Sequence, residues 1–344
     1  MKILYGVQAT GNGHIARARA MLPALQAADI AVDFLFSGAP RETLFDMECF
    51  GAARFFAGFT YRIADGKLDQ ITTVRELRPL QFVRDVRALN VDDYDMVLND
   101  FEPVSAWAAK WRKVPSVGLS NQFALTAPLE AFRPPWLNRL LLRHFAPCDI
   151  ALGLHWYRLH DAVLPPLTER LPESAHRRGD FILVYLPAEN PTVILHWLAR
   201  FPEQIFHVYA RVEEAQAIDN IRLFPLARAA FLHDLAACDG VLCNSGFGVC
   251  TEAMQLGKKI LTRPLFGQFE QQANAAILKQ YRRATVLHHW DDDTMRDWLA
   301  ADGFAPLHFP DVAQAVAQWL RQGCRESPQA LSAALWEEMR RLNE

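Results

Sequence analysis

The sequence predicts an α/β protein with two doubly wound domains, each built on a mainly parallel β-sheet. Short apolar runs alternate with segments of helical periodicity along most of the chain, which is typical of consecutive βαβ units. Residues 166–180 break this alternation, because they are rich in Pro, Glu and Arg and lack an apolar period. A glycine-containing loop follows an apolar run in each half. We therefore expect two domains with their chemistry in the loops after strands.

The composition fits a globular protein with a sizeable core. The chain has 344 residues, of which 51% are hydrophobic and 22% are charged, and this length suits two domains. Lys and Arg number 36 against 39 Asp and Glu, which gives a net charge of −3. A nucleic-acid-binding protein usually has a marked basic excess, so the composition argues against that class.

The cysteines and the apolar runs both favour a cytoplasmic protein. The six cysteines form no CxxC pair and no metal-site spacing, so reduced, buried thiols are expected. Residues 1–7 are interpreted as a first strand rather than a signal peptide. No apolar run reaches the roughly 20 residues of a membrane span. We expect a soluble, cytoplasmic protein that can also lie peripherally on the inner face of the cell membrane.

The first domain is predicted over residues 1–165. Helices are expected at residues 14–28 and 104–113, and because they fall between strands, the strands are expected to be parallel. The apolar runs interpreted as strands are residues 2–7, 31–37, 94–99, 115–120 and 149–154.

The second domain is predicted over residues 181–325, after a linker at 166–180. Asn190 and Pro191 look like the N-cap and first residue of a helix over 192–200. A final amphipathic helix within 326–344 is expected to pack back on the first domain. The strands expected in this half are residues 181–186, 205–210, 220–224, 240–243 and 259–262.

The loop after the first strand carries Gly11, Gly13 and His14. It fails as a dinucleotide fingerprint, because Ala16 stands where a third glycine is needed and no acidic residue closes the second strand. His14 at a helix N-terminus has its protonated form disfavoured by the helix dipole, so a neutral imidazole could accept a proton. Arg17, one turn later, could meet a diphosphate or an anionic acceptor.

Asp100 follows another strand of this half and is an alternative proton acceptor to His14. Parallel strands end at one edge of a sheet, where binding clefts form; an N-cap role is the other interpretation of Asp100. Glu102, next to Pro103, and Gln122, after a further strand, are candidates for binding an acceptor.

In the second half, an apolar strand at 240–243 runs into Asn244-Ser245-Gly246-Phe247-Gly248 and then a helix. Glycines let a ligand approach the backbone, and the unpaired N–H groups of the helix start suit a diphosphate. Glu252, six positions after Gly246, could accept both hydroxyls of a ribose. Glu270 and Gln271 open a later helix and offer groups that bind sugar hydroxyls.

The run over residues 244–275 resembles the donor-binding signature of GT-B glycosyltransferases that use nucleotide sugars. It is most similar to family 28, which includes the N-acetylglucosaminyltransferase of lipid II synthesis, and it also resembles UDP-glycosyltransferases. The Gly-x-Gly-His-x-x-Arg loop resembles an uncharacterised bacterial and archaeal branch of such enzymes. The resemblance implies a GT-B fold, with two Rossmann-like domains facing a central cleft.

The resemblance also implies roles for individual residues. Ser245, Gly246, Phe247 and Gly248 would bind the diphosphate, with Gly11 and Gly13 at the same group. Glu252 would hold the ribose, and Phe224 and Leu226 would lie at the uracil base. The residues expected at the donor sugar are Glu270, Gln271 and Asn274.

These observations predict an inverting transferase that moves a hexose or N-acetylhexosamine from a UDP-sugar to an acceptor hydroxyl of a glycan, a lipid-linked molecule or a small molecule. His14 or Asp100 takes the proton, while Arg17, Glu102 and Gln122 position the acceptor. A nucleotide-sugar 2-epimerase or hydrolase of the same fold, or a binding module without turnover, are the alternatives. No cofactor is expected.

Two further segments bear on metal and membrane binding. Asp291-Asp292-Asp293 resembles a DxD metal motif, but capping of the following helix explains it better. We expect no metal, because a helix N-terminus can stabilise the departing diphosphate. Residues 133–145 combine apolar and basic side chains, which suits peripheral contact with a membrane and a lipid-linked or glycan acceptor.

Overall fold

The computed structural model describes residues 1–44, 46–60, 62–126, 132, 135–169, 171 and 179–344. Most of the predicted linker, and Arg133 and Pro134 of the predicted membrane segment, therefore lie outside the described residues.

The strands occupy the apolar runs of the sequence, together with several short polar segments. In chain order they are β1 (Lys2–Gln8), β2 (Ala31–Ser37), β3 (Arg54–Phe56), β4 (Arg62–Ala64), β5 (Lys67–Asp69), β6 (Met96–Asp100), β7 (Ser116–Ser120), β8 (Ile150–Leu154), β9 (Val163–Leu164), β10 (Phe181–Tyr185), β11 (Ile205–Ala210), β12 (Gln216–Ile218), β13 (Ile221–Pro225), β14 (Gly240–Cys243), β15 (Lys259–Thr262) and β16 (Thr285–Val286).

The helices fall mainly between parallel strands, as βαβ units require. In chain order they are α1 (Asn12–Ala27), α2 (Gln70–Glu76), α3 (Pro79–Ala88), α4 (Pro103–Arg112), α5 (Asn121–Ala124), α6 (Trp136–His144), α7 (Pro191–Leu198), α8 (Arg228–Ala237), α9 (Phe247–Gln255), α10 (Phe269–Gln280), α11 (Asp292–Ala300), α12 (Val312–Arg321) and α13 (Pro328–Leu342).

The chain divides into two compact units. Unit 1 consists of the described residues of 1–61, 70–169 and 308–344, and unit 2 of those of 62–69 and 170–307. The division differs from the predicted boundaries at two places. Residues 308–325 fold with unit 1, where α12 packs against α1, and residues 62–69 fold with unit 2.

Unit 1 is built on a parallel sheet, which in the described residues has seven strands in the order β3-β2-β1-β6-β7-β8-β9. The middle strands are buried along almost their whole length, since helices cover parallel sheets on both faces. One core cluster joins Leu4 and Val97 of the sheet to Val104 and Ala108 of α4. At the end of the chain, the Ser332 hydroxyl and the Trp336 indole N–H both donate to the Val163 carbonyl, at 2.6 Å each.

Unit 2 is built on a second sheet of seven strands in the described residues, ordered β12-β13-β11-β10-β14-β15-β16. Only β12 runs antiparallel to its neighbour. The core joins Ile182, Phe206 and Leu242 of the sheet to Trp197 and Trp298 of flanking helices. Both sheets thus have the doubly wound form that the alternating sequence predicts.

The hairpin β4–β5 adds to unit 2 through main-chain hydrogen bonds. Gly66 N donates to the Ala188 carbonyl at 2.8 Å, and Phe266 N donates to the Gly66 carbonyl at 2.8 Å. Leu68 N in turn donates to the Phe266 carbonyl at 2.9 Å. The hairpin therefore supports the loop that leads into α10.

Candidate active site

In unit 1, the glycine loop after β1 places His14 in the first turn of α1. Gly11 is the N-cap of α1 and has an extended conformation. As a glycine it has no side chain to cap the helix. A Cβ atom added at Gly11 or Gly13 would meet no atom within 4 Å, so the loop leaves its backbone open to a ligand. Arg17 follows His14 by three residues and therefore lies on the same side of α1.

The order of the sheet brings Asp100 to His14. Strands β1 and β6 are neighbours, and Val7 is in register with Asp100. His14 and Asp100, although 86 residues apart in sequence, are joined by a contact of 2.8 Å between Nδ1 and Oδ1. The two residues that the sequence offers as alternative proton acceptors thus form one pair.

Arg17 forms a bidentate ion pair with the same carboxylate. Its Nε donates to Oδ2 of Asp100 at 2.9 Å and its Nη2 donates to Oδ1 at 2.8 Å. The Ser120 hydroxyl donates to Oδ1 at 2.6 Å. Asp100 is fully buried. Burial alone would raise its pKa, but the charge of Arg17 and the hydrogen bonds from Arg17 and His14 hold the pKa of Asp100 well below its ordinary value.

The tautomer of His14 is assigned from its contact with Asp100. A carboxylate only accepts, so we assign a proton to Nδ1, which leaves a lone pair on Nε2. In this assignment the 2.7 Å contact between Nη2 of Arg17 and Nδ1 joins two donors and is not a hydrogen bond; both nitrogens bind Oδ1 of Asp100 instead. On the opposite side of the ring, Gln122 Nε2 lies 3.3 Å from Nε2 of His14 and donates to it in this tautomer. His14 is thus oriented to act as a base through Nε2.

Glu102, predicted to bind the acceptor, is instead the N-cap of α4. It is fully buried, and its carboxylate accepts from the amides of Val104 at 2.7 Å and Ser105 at 2.6 Å, and from the Ser37 hydroxyl at 2.6 Å. Burial raises the pKa of Glu102, although these hydrogen bonds oppose the shift. Its hydrogen bonds stabilise the start of α4 and its packing against β2.

In unit 2, the loop between β14 and α9 presents its main chain. Gly246 is the N-cap of α9, and a Cβ atom added there would meet no atom within 4 Å. Ser245 is fully buried, and its hydroxyl lies 2.8 Å from that of Thr262. The Phe247 ring is also buried. The start of α9 can therefore present main-chain amides to a ligand, as helix starts do.

Two residues predicted at the donor sugar hold the loops that lead into α9 and α10. Asn274 is fully buried, and its Nδ2 donates to the Ser245 carbonyl at 3.0 Å. Gln271 accepts from the Leu265 amide through Oε1 at 3.1 Å, and its own amide donates to the side chain of Gln268, the N-cap of α10. Glu270 is half-buried in the first turn of the same helix.

Glu252 lies on α9 and forms an ion pair that the sequence does not predict. Its Oε1 accepts from Nη2 of Arg228 at 2.6 Å, and its Oε2 lies 3.4 Å from Nη1. Arg228 is the first residue of α8, two positions after Leu226. The only sequence signal for Arg228 is its place at a helix start after the predicted base-binding loop.

Phe224, predicted at the nucleotide base, packs among aromatic side chains of the unit 2 sheet. Its ring centroid lies 5.2 Å from that of His207 and 5.4 Å from that of Tyr209. His207 and Tyr209 both contact Oδ2 of Asp234, at 2.8 and 3.0 Å. The base-binding prediction for Phe224 and the half-buried Leu226 stays a prediction.

The described part of the chain has neither a metal-ion cluster nor a membrane-spanning helix. No three His, Cys, Asp or Glu residues there are grouped so as to hold a metal ion. Asp291 is the N-cap of α11 and accepts from the Thr294 amide at 3.0 Å. Within the described residues, no helix combines the length and the apolar character needed to cross a bilayer.

Most of the sequence matches a known family. Residues 1–301 match the family described as glycosyl transferase family 1. The chain belongs to this family. No curated protein matches the sequence of this family 1 glycosyltransferase.

Solved structures of glycosyltransferases share the fold of this family 1 protein. The glycosyltransferase SnogD from Streptomyces nogalater is 16% identical, with a TM-score of 0.54, over 98% of this chain and 99% of that one. Arabidopsis thaliana UGT89C1, complexed with UDP, is 12% identical, with a TM-score of 0.58 and the same coverage. The spinosyn rhamnosyltransferase SpnG, complexed with thymidine diphosphate, is 17% identical, with a TM-score of 0.56, over 97% of this chain and 100% of that one. The protein is a glycosyltransferase of the GT-B type.

Proposed function

We propose that this glycosyltransferase moves a hexose or N-acetylhexosamine from a UDP-sugar to an acceptor hydroxyl, with inversion at the anomeric carbon. The observation that carries the proposal is the open start of α9, with Gly246 as N-cap and no atom within 4 Å of where its Cβ would lie. Main-chain amides and the helix dipole at such a start bind a diphosphate. Gly248 lies in the first turn of this helix.

The other residues proposed to bind the UDP-sugar lie on α9 and α10. Glu252, on the helix that binds the diphosphate, accepts hydrogen bonds from the ribose hydroxyls. Glu270 and Gln271 lie at the start of α10, and Asn274 joins that helix to the Ser245 carbonyl. This link supports a donor-sugar site between the starts of α9 and α10. The UDP bound to the Arabidopsis relative supports uridine as the base.

The His14–Asp100 pair supplies the base of the proposed reaction. Asp100 is fully buried, bound by Arg17, and has a lowered pKa, so it is a poor proton acceptor. His14, held by Asp100 through Nδ1, takes the proton of the acceptor hydroxyl at Nε2. Gln122, whose Nε2 lies 3.3 Å from Nε2 of His14, gives up this contact when the acceptor hydroxyl donates to the His14 lone pair, and it then donates to the oxygen of that hydroxyl.

The oxygen of the acceptor then attacks the anomeric carbon of the donor, and the bond from that carbon to the diphosphate breaks. UDP leaves with the bonding electron pair, and the amides at the start of α9 stabilise its developing charge. No metal ion is required by this arrangement, since the helix start supplies positive potential where the charge develops.

The acceptor is proposed to be a glycan or a lipid-linked sugar, in keeping with the likeness of residues 244–275 to family 28. The exposed side of α6 supports this, because Trp136, Leu140 and Leu141 are 70%, 49% and 54% exposed and stand beside Arg139 and Arg143. Such a helix suits the interface of an anionic membrane, which would place the enzyme on the cytoplasmic face. Sedimentation with anionic vesicles, comparing wild type with a Leu140→Asp, Leu141→Asp variant, tests this contact; equal sedimentation contradicts it.

The donor assignment is tested by calorimetric titration with UDP. Wild-type protein is expected to bind UDP, and Glu252→Ala is expected to weaken binding by about tenfold or more, as loss of a charged hydrogen-bonding partner does. Unchanged UDP binding in this variant contradicts the donor assignment.

The reaction is tested by measuring UDP release and the anomeric configuration of the product. His14→Gln is expected to abolish transfer while UDP binding is retained, and His196→Gln, at an exposed position of α7, serves as the control. Retained transfer in His14→Gln contradicts the base assignment. If the protein converts the UDP-sugar without any acceptor, a 2-epimer as product points to the epimerase and free sugar points to the hydrolase.

A further inference from the structure

The ion pair between Arg228 and Glu252 lies where the proposed function places the ribose. Both side chains are largely buried, with 19% and 6% of their surface exposed. Arg228 begins α8, whereas Glu252 is on α9. The pair therefore joins the helix after the predicted base-binding loop to the helix that starts at the diphosphate-binding loop.

The charge of this pair matters for an anionic ligand. A buried carboxylate on α9 would repel the diphosphate that the start of the same helix attracts. Arg228 compensates the charge of Glu252, because the guanidinium remains protonated at all ordinary pH values. The carboxylate can then lie close to a nucleoside diphosphate without weakening its binding.

The geometry of the pair matters for hydroxyl groups. Arg228 reaches both oxygens of the carboxylate, closely at Oε1 and at 3.4 Å at Oε2. A carboxylate accepts about four hydrogen bonds in its plane, so the fork of Arg228 fixes the plane in which further donors bind. Ribose hydroxyls would donate in this plane from the outer side of the carboxylate, because the fork of Arg228 faces both oxygens from the other side.

We propose that Arg228 is a positioning residue that fixes and neutralises Glu252, and that it thereby selects nucleoside diphosphates whose ribose has both hydroxyls. This inference rests on the proposed function, since it assumes that Glu252 binds ribose. It assigns to Arg228 a role in nucleotide selectivity rather than in proton transfer.

The test is calorimetric titration of the intact protein with UDP, 2′-deoxy-UDP and uridine. Wild type is expected to bind UDP about tenfold more tightly than 2′-deoxy-UDP, because a buried polar site left without its partner lowers affinity by that order. In Arg228→Met, this ratio is expected to fall to about threefold or less. UDP binding is expected to weaken more than uridine binding, because only UDP carries the charge that Glu252 repels.

Three further variants make the test specific. Arg228→Lys keeps the charge but loses the fork, so it is expected to keep UDP affinity better than Arg228→Met while losing the preference for ribose. Arg228→Met combined with Glu252→Gln removes both charges, and UDP affinity is expected to recover to that of Glu252→Gln alone. Arg222→Met, a basic residue of β13 that bonds main-chain carbonyls, is the control and should behave as wild type.

The outcomes separate this inference from the proposed function. A wild-type preference for UDP that Glu252→Gln abolishes but Arg228→Met leaves intact overturns the role of Arg228 alone. Equal loss of UDP and uridine binding in Arg228→Met overturns the charge compensation. Wild-type protein that binds UDP and 2′-deoxy-UDP equally, with no effect of Glu252→Gln, overturns the ribose assignment and this inference with it. The charge-neutral double variant keeps the comparison valid if Arg228→Met alone fails to fold.

Discussion

Asn274 on α10 donates a hydrogen bond of 3.0 Å from its side chain to the main-chain carbonyl of Ser245, in the loop before α9. Asn274 is fully buried, so the bond is shielded from water. A residue predicted to contact the donor sugar therefore also fixes the loop proposed to bind the diphosphate. The proposed donor-sugar site and the proposed diphosphate site thus share one side chain.

Asn274→Ala is expected to lower the free energy of unfolding by about 1–3 kcal/mol, because the buried carbonyl of Ser245 loses its donor. Asn274→Asp should be worse, since a carboxylate cannot donate and would repel that carbonyl. Urea denaturation measures both variants. Two variants as stable as wild type would mean that the bond contributes nothing to the fold.

Arg17→Met is expected to destabilise the protein by about 3–5 kcal/mol, because the charge of the fully buried Asp100 is left without its cation. Replacing Asp100 by Asn in the same chain removes that charge, so the double variant should recover much of the loss. Chemical denaturation of both variants provides the measurement. A double variant no more stable than Arg17→Met would argue against the ion pair as the cause.

The stability of the protein should fall in acid partly through Asp100. The pKa of Asp100 is lowered in the folded protein, so its contribution is fully present above the unfolded pKa of about 4. It is lost as the pH falls below that value towards the folded pKa. The difference in unfolding free energy between wild type and the Arg17→Met, Asp100→Asn variant, which share every other carboxylate, should shrink from pH 5 to pH 3. A constant difference would contradict the lowered pKa.

Gly66 in the β4–β5 turn is expected to tolerate no side chain. Its φ is +73°, and a Cβ atom there would collide with the carboxylate of Glu189. Arg263 holds that carboxylate in place through a 3.1 Å hydrogen bond from Nε to Oε1. Gly323 has the same φ of +73° with open space around it. Gly323→Ala should therefore cost only the backbone strain of about 1–2 kcal/mol, and Gly66→Ala clearly more. Thermal unfolding compares the two, and equal losses would show that the hairpin is not tightly packed there.

The parallel sheets could be predicted from sequence because strands covered on both faces consist of continuous apolar runs. The bounds of β2, β11, β14 and β15 match those predicted. The hairpin β4–β5 and the helix α2 could not be found this way, because their short, polar segments show no clear period, whereas α3 was missed although its apolar residues recur at helical spacing. Strand order also had to come from the structure, and it is strand order that pairs His14 with Asp100.

The candidate site was predictable by residue type but not by role. Glu102 has the polar character of a ligand-binding residue, yet a Glu before Pro103 is here a helix cap. Arg17 is predicted to bind an anionic ligand, but in the structure it binds the carboxylate of Asp100. Arg228 carried no motif, because its pairing with Glu252 arises only when α8 and α9 come together.

Residues 62–69 and 308–344 each fold with the unit that is farther away along the chain. Cleavage at 166–180 would thus leave an N-terminal fragment that lacks α12 and α13 and a C-terminal fragment that lacks the hairpin β4–β5. Chimeras that exchange the halves of this enzyme with a relative need to carry those two segments along. Exchange of acceptor and donor preferences by recombination at a single junction is accordingly disfavoured in this protein.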